Sequence, residues 1–190
     1  QQLLTGKTRL PGFTGAWSSK LLGEISSLYQ PATISAQQLK EVGFPVYGAN
    51  GIVGFYDRAN HEKWQITITC RGSTCGTVNR TVDKCWITGN AMVVNVENNP
   101  HIDKVFLYHL LKSQDFNLCI TGSGQPQIVR TPLKMYPLAF PSSKNEQSAI
   151  AAILSDMDAE LAGLESQRDK ARAIKQGMMQ ELLTGRIRLI

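Results

Sequence analysis

The chain has 190 residues, 20 Lys and Arg against 15 Asp and Glu, and a formal net charge of +5. An apolar fraction of 42% and a charged fraction of 18% are those of a soluble globular protein, long enough to bury a core as one domain plus an appendage. There is no apolar run of membrane-spanning length, no secretory signal and no zinc-like spacing among Cys70, Cys75, Cys85 and Cys119, which read as reduced thiols of a cytoplasmic protein.

The positive excess is local. Residues 1–142 hold 13 basic and 8 acidic residues, whereas residues 143–190 hold 7 of each. Between 58 and 84 stand Arg58, Lys63, Arg71, Arg80 and Lys84, opposed by Glu62 and Asp83. A basic surface attracts polyanions, nucleic acid first among them.

The chain opens on QQLLTGKTRL, and residues 180–189 read QELLTGRIRL, the same phrase at an offset of 179. Gln1, Leu3, Leu4, Thr5, Gly6, Arg9 and Leu10 recur as Gln180, Leu182, Leu183, Thr184, Gly185, Arg188 and Leu189. A repeat of this kind places residue 1 where an earlier unit ends. Residues 1–16 then read as the end of a preceding helix and a linker, and 17–190 as one whole unit. The reading is open to a cut fragment and to a naturally short half subunit.

From Trp17 to Pro141 the chain reads as short mixed elements separated by turn signals at Gly43, Gly48, Asn50-Gly51, Gly54, Gly72, Gly76, Gly89-Asn90, Asn99-Pro100, Gly122 and Gly124. Trp64–Cys70 alternates with period two and predicts a half-buried strand, and Met92–Val96 predicts a second strand. His101–Ser113 carries apolar residues at helical spacing after the start signal Asn99-Pro100. The expectation for 17–141 is an α+β domain on a twisted, mostly antiparallel sheet. Beyond Pro141, Ser143-Lys144-Asn145-Glu146 has the form of a capping box. Apolar residues then fall at Ile150, Leu154, Met157, Leu161 and Leu164, and less strictly at Ala171, Ile174, Met178 and Leu182, up to the stop at Gly185. The pattern predicts a helix of about 40 residues, roughly 60 Å long, with a heptad-like seam that needs a partner helix.

Catalytic signals are lacking. His61, His101 and His109 form no ligand spacing, and there is no nucleophile elbow or P-loop. Asn98-Asn99-Pro100-His101 is read as a turn.

Several stretches together carry a family likeness: LLGEI (21–25), YGANGIVGFYD (47–57), CRGSTCGTVN (70–79), GSGQPQI (122–128), PSSKNEQSAIAAIL (141–154) and QGMMQELLTGRIRL (176–189). In this order, closed by a phrase that also opens the chain, they resemble the DNA specificity subunits of type I restriction–modification systems, across essentially the whole chain. The resemblance implies a DNA target-recognition domain at 17–141 and a conserved coiled-coil helix with its tail at 142–190. It implies one half of a bipartite double-stranded DNA target, helices that pair antiparallel, and partner modification and restriction subunits that hold S-adenosylmethionine, ATP and Mg; this chain would hold no cofactor and no metal and would be non-catalytic. With the first unit absent, a homodimer through the long helix is expected. A coiled-coil interaction protein without a DNA role is the alternative.

Base reading calls for Arg or Lys on guanine and Asn or Gln on adenine, with hydroxyls and amides on phosphates. The candidates are Asn50, Arg71, Ser73, Thr74, Asn79, Arg80, Lys84, Gln125, Gln127 and Arg130, with Lys134 as a further phosphate contact. Gln125 and Gln127 could instead brace the domain against the helix. The helix-pairing candidates are Ile150, Leu154, Met157, Leu161, Leu164, Ile174, Met178 and Leu182.

Overall fold

In the computed structural model, which describes residues 2–122 and 124–186, the chain begins with a 3-10 turn at Gln2–Thr5. Gly6 ends that turn at φ +70°, with the Trp17 ring so close that a Cβ would stand 3.1 Å from it. Conformation and space both call for glycine there.

The elements that follow are β1 (Trp17–Leu21), α1 (Leu22–Ile25), β2 (Ser27–Tyr29), β3 (Phe44–Tyr47), β4 (Ile52–Tyr56), β5 (Ile66–Thr69), β6 (Val78–Arg80), β7 (Trp86–Ile87) and β8 (Ala91–Asn95). Then come α2 (Lys104–Lys112), β9 (Ile120–Thr121), β10 (Gln127–Ile128), α3 (Arg130–Lys134), β11 (Pro137–Pro141) and α4 (Lys144–Leu183). The main sheet has the order β2-β8-β5-β6 and is antiparallel throughout. A smaller sheet, β4-β3-β7, joins the β3–β4 hairpin to a parallel β3–β7 pair. β1 pairs antiparallel with β11, Trp17 opposite Pro141, and ties the two ends of this region together. The α+β class with mostly antiparallel sheets and a long C-terminal helix is what the sequence pattern leads one to expect.

Period-two alternation in β5 does not mean a solvent face. Ile66, Thr67, Ile68 and Thr69 are all buried, because β5 is flanked by β8 and β6 and covered on both sides. Its Thr residues therefore need partners inside, and Thr69 donates its hydroxyl to the Ala49 carbonyl. α2 begins three residues later than the His101 start and takes its cap from Asp103, which accepts from the Phe106 amide at 2.8 Å. Its buried face, Phe106, Leu107, Leu110 and Leu111, supplies much of the core; full burial of each such side chain is worth about 1.5–3 kcal/mol.

The backbone clusters into two compact units, Gln1–Ala151 and Ala152–Ile190. The first contains the opening turns of α4, where Glu146, Gln147, Ile150 and Ala151 are buried. Two expectations are corrected here. Glu146 does not serve a capping box: its carboxylate accepts from Arg9 Nε at 2.6 Å and Nη2 at 2.8 Å. Ile150, 1% exposed, is a core residue of the first unit, so the free seam starts after it. In the second unit Met157, Leu161, Leu164, Ile174 and Met178 are each more than half exposed, Leu182 is 37% exposed, and Leu154 is half-buried. The helix stops in a Schellman arrangement: Gly185, at φ +70°, donates to the Leu182 carbonyl and Arg186 to that of Glu181.

Candidate nucleic-acid interface

Three turns that are far apart in sequence meet at one end of β5. The first is the β3–β4 hairpin turn, in which Gly48 donates to the Gly51 carbonyl and Gly51 takes φ +112°. The second follows β5, where Cys75 donates to the Gly72 carbonyl and Thr77 to that of Thr74, with Gly72 and Gly76 at positive φ. The third leads into β10.

The turns are bonded to one another. Asn79 Nδ2 donates to Asn50 Oδ1 at 3.2 Å and to Thr69 Oγ1 at 3.4 Å, while Thr69 reaches Ala49. Gly72 donates to the Pro126 carbonyl at 3.1 Å, Ile128 to that of Cys70 at 3.0 Å, and Arg71 bridges with Gln127. The surface so formed exposes Asn50, Arg71, Ser73, Gln125 and Gln127, with Thr74 and Asn79 partly covered. Gln127 thus braces the turn after β5.

The charge pattern of this surface is simple. Burial pushes the Cys70 thiol up to about 11 and raises that of Cys75. Within 70–79 Arg71 is the only Lys, Arg, His, Asp or Glu, and it stands among amides, hydroxyls and open backbone. That mixture suits base edges and phosphate oxygens.

Arg80 and Lys84 lie elsewhere. Arg80 pairs with Ile66, at the start of β5, and so stands roughly 10–13 Å along the strand from the Arg71 turn. Its guanidinium stacks 4.2 Å from the Trp64 ring centroid, and Lys104 Nζ lies 4.3 Å from the same ring. Lys104 also donates to the Trp64 carbonyl and meets Glu97 Oε1 at 3.2 Å. Burial lowers the Lys104 pKa, against the opposing effect of Glu97. Lys84 takes φ +50° and donates its amide to the Glu62 carbonyl. Arg130 and Lys134 line an open cleft of about 690 Å³ with Asn95, Asn98 and Asn99. The ten candidates thus fall into one connected group of seven and two outlying basic spots.

Sequence reasoning missed Thr69, which locks two of the turns together, and the Trp64–Lys104 pair that holds Arg80. Trp64, the first residue of an alternating stretch beside a basic segment, is the one signal that could have drawn attention to the second. Among the described residues no group of three or more His, Cys, Asp and Glu could hold a metal ion, and no helix is long and apolar enough to cross a membrane.

The model of the type I restriction modification DNA specificity domain matches residues 15–171, and the chain belongs to that family. It is 33% identical over 144 residues to the specificity subunit of the type I restriction enzyme EcoprrI of Escherichia coli, covering 73% of this chain and 35% of the relative. It is 30% identical over 155 residues to a putative type I specificity subunit of Mycoplasma genitalium, covering 79% of this chain and 40% of that one. Among solved structures, the S subunit of a type I restriction–modification system from M. genitalium superposes with a TM-score of 0.76 at 24% identity, over 92% of this chain and 47% of that chain. The HsdS subunit of Thermoanaerobacter tengcongensis superposes at 0.57 with 16% identity, over 95% and 48%. The chain therefore spans between about a third and a half of the length of these relatives.

Proposed function

We propose that this chain reads one part of a bipartite double-stranded DNA target and delivers that address to modification and restriction subunits, contributing no catalytic group itself. The observation that carries the reading is the convergence of the three turns: Asn50, Asn79, Arg71, Ser73, Thr74, Gln125 and Gln127 share one bonded surface. In this reading Arg71 takes a guanine edge and Asn50 with Asn79 an adenine edge, while Ser73 and Thr74 meet phosphates. Arg80, stiffened by Trp64, and Lys84 supply phosphate contacts beside the groove, and Arg130 and Lys134 do so at the cleft. S-adenosylmethionine, ATP and Mg belong to the partner subunits, and the assembly works in the cytoplasm.

Residues 17–141 form the recognition domain, residues 1–16 the end of a preceding helix with its linker, and 142–190 the conserved helix. The exposed seam from Leu154 to Leu182 pairs antiparallel with an equivalent helix, that of a second copy when a first unit is absent. The exposed apolar length supports this, since a stripe so long is an association surface.

The test is methylation mapping of DNA exposed to the homodimer with its modification subunits. Two identical half-sites, inverted about unread bases, follow from a two-fold axis across the helices. A continuous or asymmetric target would refute the arrangement. Duplex binding that is absent at low salt would refute DNA reading altogether and leave a pure interaction protein.

A further inference from the structure

The turn between β3 and β4 carries, besides Asn50, two apolar side chains that the fold leaves uncovered. Ile52 is 55% exposed and Val53 is 54% exposed. Neighbours in a regular strand point to opposite faces, so one of the two would ordinarily face the packed side of the sheet. A β-bulge removes that constraint. Val46 stands opposite Gly54 and Tyr47 opposite Ile52, so Val53 has no partner across the ladder. An extra residue of this kind bends the strand and re-aims its side chain. The first two residues of β4 are both exposed as a result.

Val53 is also seated. A Cβ on Gly48 would stand 2.6 Å from Val53 Cγ1. Gly48 has no left-handed φ to maintain, so room for the valine is what calls for glycine there. Gly48 in turn donates to the Gly51 carbonyl at 2.8 Å, and Asn50 between them is held by Asn79 at 3.2 Å. One short turn thus sets an amide and two aliphatic side chains next to one another on the candidate interface.

The chemistry of this edge narrows what it meets. Asn reads adenine at N6 and N7, and the thymine paired with that adenine offers its C5-methyl group in the same major groove. Contacts between proteins are anchored chiefly by Trp, Tyr and Arg, with Val under-represented. We propose that Ile52 and Val53 read the C5-methyl group of thymine beside the adenine taken by Asn50, so that the hairpin tip selects A·T pairs by both of their bases. This assignment rests on the DNA reading of the surface and adds to it a contact that involves no hydrogen bond.

A randomised duplex pool, enriched at low salt on the full chain and sequenced, gives the bound site, which is then synthesised with each thymine in turn replaced by deoxyuridine. The replacement removes the methyl group and keeps the base pair. Affinity should fall about three- to fivefold at the contacted thymine, as for a methyl group taken out of water against carbon. Ile52→Ser and Val53→Ser should bind the thymine and deoxyuridine duplexes alike, with an unchanged salt slope because no phosphate contact is lost. Val42 is 83% exposed at the other end of the hairpin, and Val42→Ser should keep the thymine dependence of the native chain. Should Val53→Ser lose its native near-ultraviolet circular dichroism, Ile52→Ser carries the test. Duplex binding indifferent to deoxyuridine, a selected site that needs no thymine, or a dependence that survives the folded serine variants overturns the proposal while the DNA reading stands. No duplex bound at low salt would overturn that reading and the proposal with it.

Discussion

Gln147 offers the sharpest test of how the base of α4 is fixed. Its side chain is fully buried and makes three hydrogen bonds to backbone. Nε2 donates to the Pro141 carbonyl at 3.0 Å and the His101 carbonyl at 3.2 Å, and Oε1 accepts from the Asp103 amide at 2.9 Å. These groups belong to the end of β11, the approach to α2 and the α2 cap, so one amide clamps three segments. Gln147→Ala takes this partner from the buried Pro141 carbonyl and from the part-buried His101 carbonyl and Asp103 amide, at about 1–3 kcal/mol apiece when nothing replaces the lost bond. Partial relaxation and water entry reduce the sum, and a loss of ~3–5 kcal/mol is expected. Against a typical total of roughly 5–15 kcal/mol this is severe. It corresponds to a fall in Tm of about 6–20 °C for a domain of this size. Urea unfolding followed by tryptophan fluorescence measures it, with Gln167→Ala on an exposed stretch of α4 as the control expected within ~0.5 kcal/mol. A loss below about 1 kcal/mol for Gln147→Ala would show that the three bonds do not hold the helix base, and the account of the clamp would fail.

Arg71→Ala should change the preference among duplexes by ~1–3 kcal/mol, whereas Arg80→Ala and Lys84→Ala should weaken all duplexes alike and flatten the salt slope; salt titrations against several duplexes separate the two, and uniform weakening by Arg71→Ala would remove Arg71 from base reading. Leu161→Glu should turn a dimer at micromolar concentration into a monomer by light scattering, and no change in mass would remove Leu161 from the pairing seam. The Cys70 thiol is raised from 9.0 to about 11 by burial. The folded state thus keeps a proton that the unfolded state gives up, and the stability from this group, fully present below pH 9, is lost as pH rises toward 11. Chemical denaturation from pH 8 to 11 should show a steeper decline for the native chain than for Cys70→Ala, and parallel curves would refute the assignment.

Elements whose evidence is local were legible in the sequence. Met92–Val96, the α2 register and the long seam ended by Gly185 each announce themselves within a window of a few residues. What was not legible depends on residues brought together from a distance. The parallel β3–β7 pair is two residues long in β7 and joins segments 40 positions apart. Glu146 was read with Ser143, its neighbour in sequence, but is held by Arg9, 137 positions away. Ile150 follows the seam's spacing and is nevertheless buried in the first unit, because periodicity marks the apolar face of a helix and not where its cover ends. The candidate readers were found by side-chain chemistry alone. Their division into a connected group and outlying spots needed the hydrogen bonds of Thr69 and the stacking on Trp64.

The bond between Asn79 and Asn50 has a consequence for heredity. Two amides joined edge to edge leave a carbonyl on Asn79 and an amino group on Asn50, so the pair presents one wider edge built from residues 29 positions apart. A mutation at either position unsettles both. Under the proposed DNA reading, relatives that read other sequences through this surface should change positions 50 and 79 in concert, and variants altered at one of the two alone should bind DNA poorly.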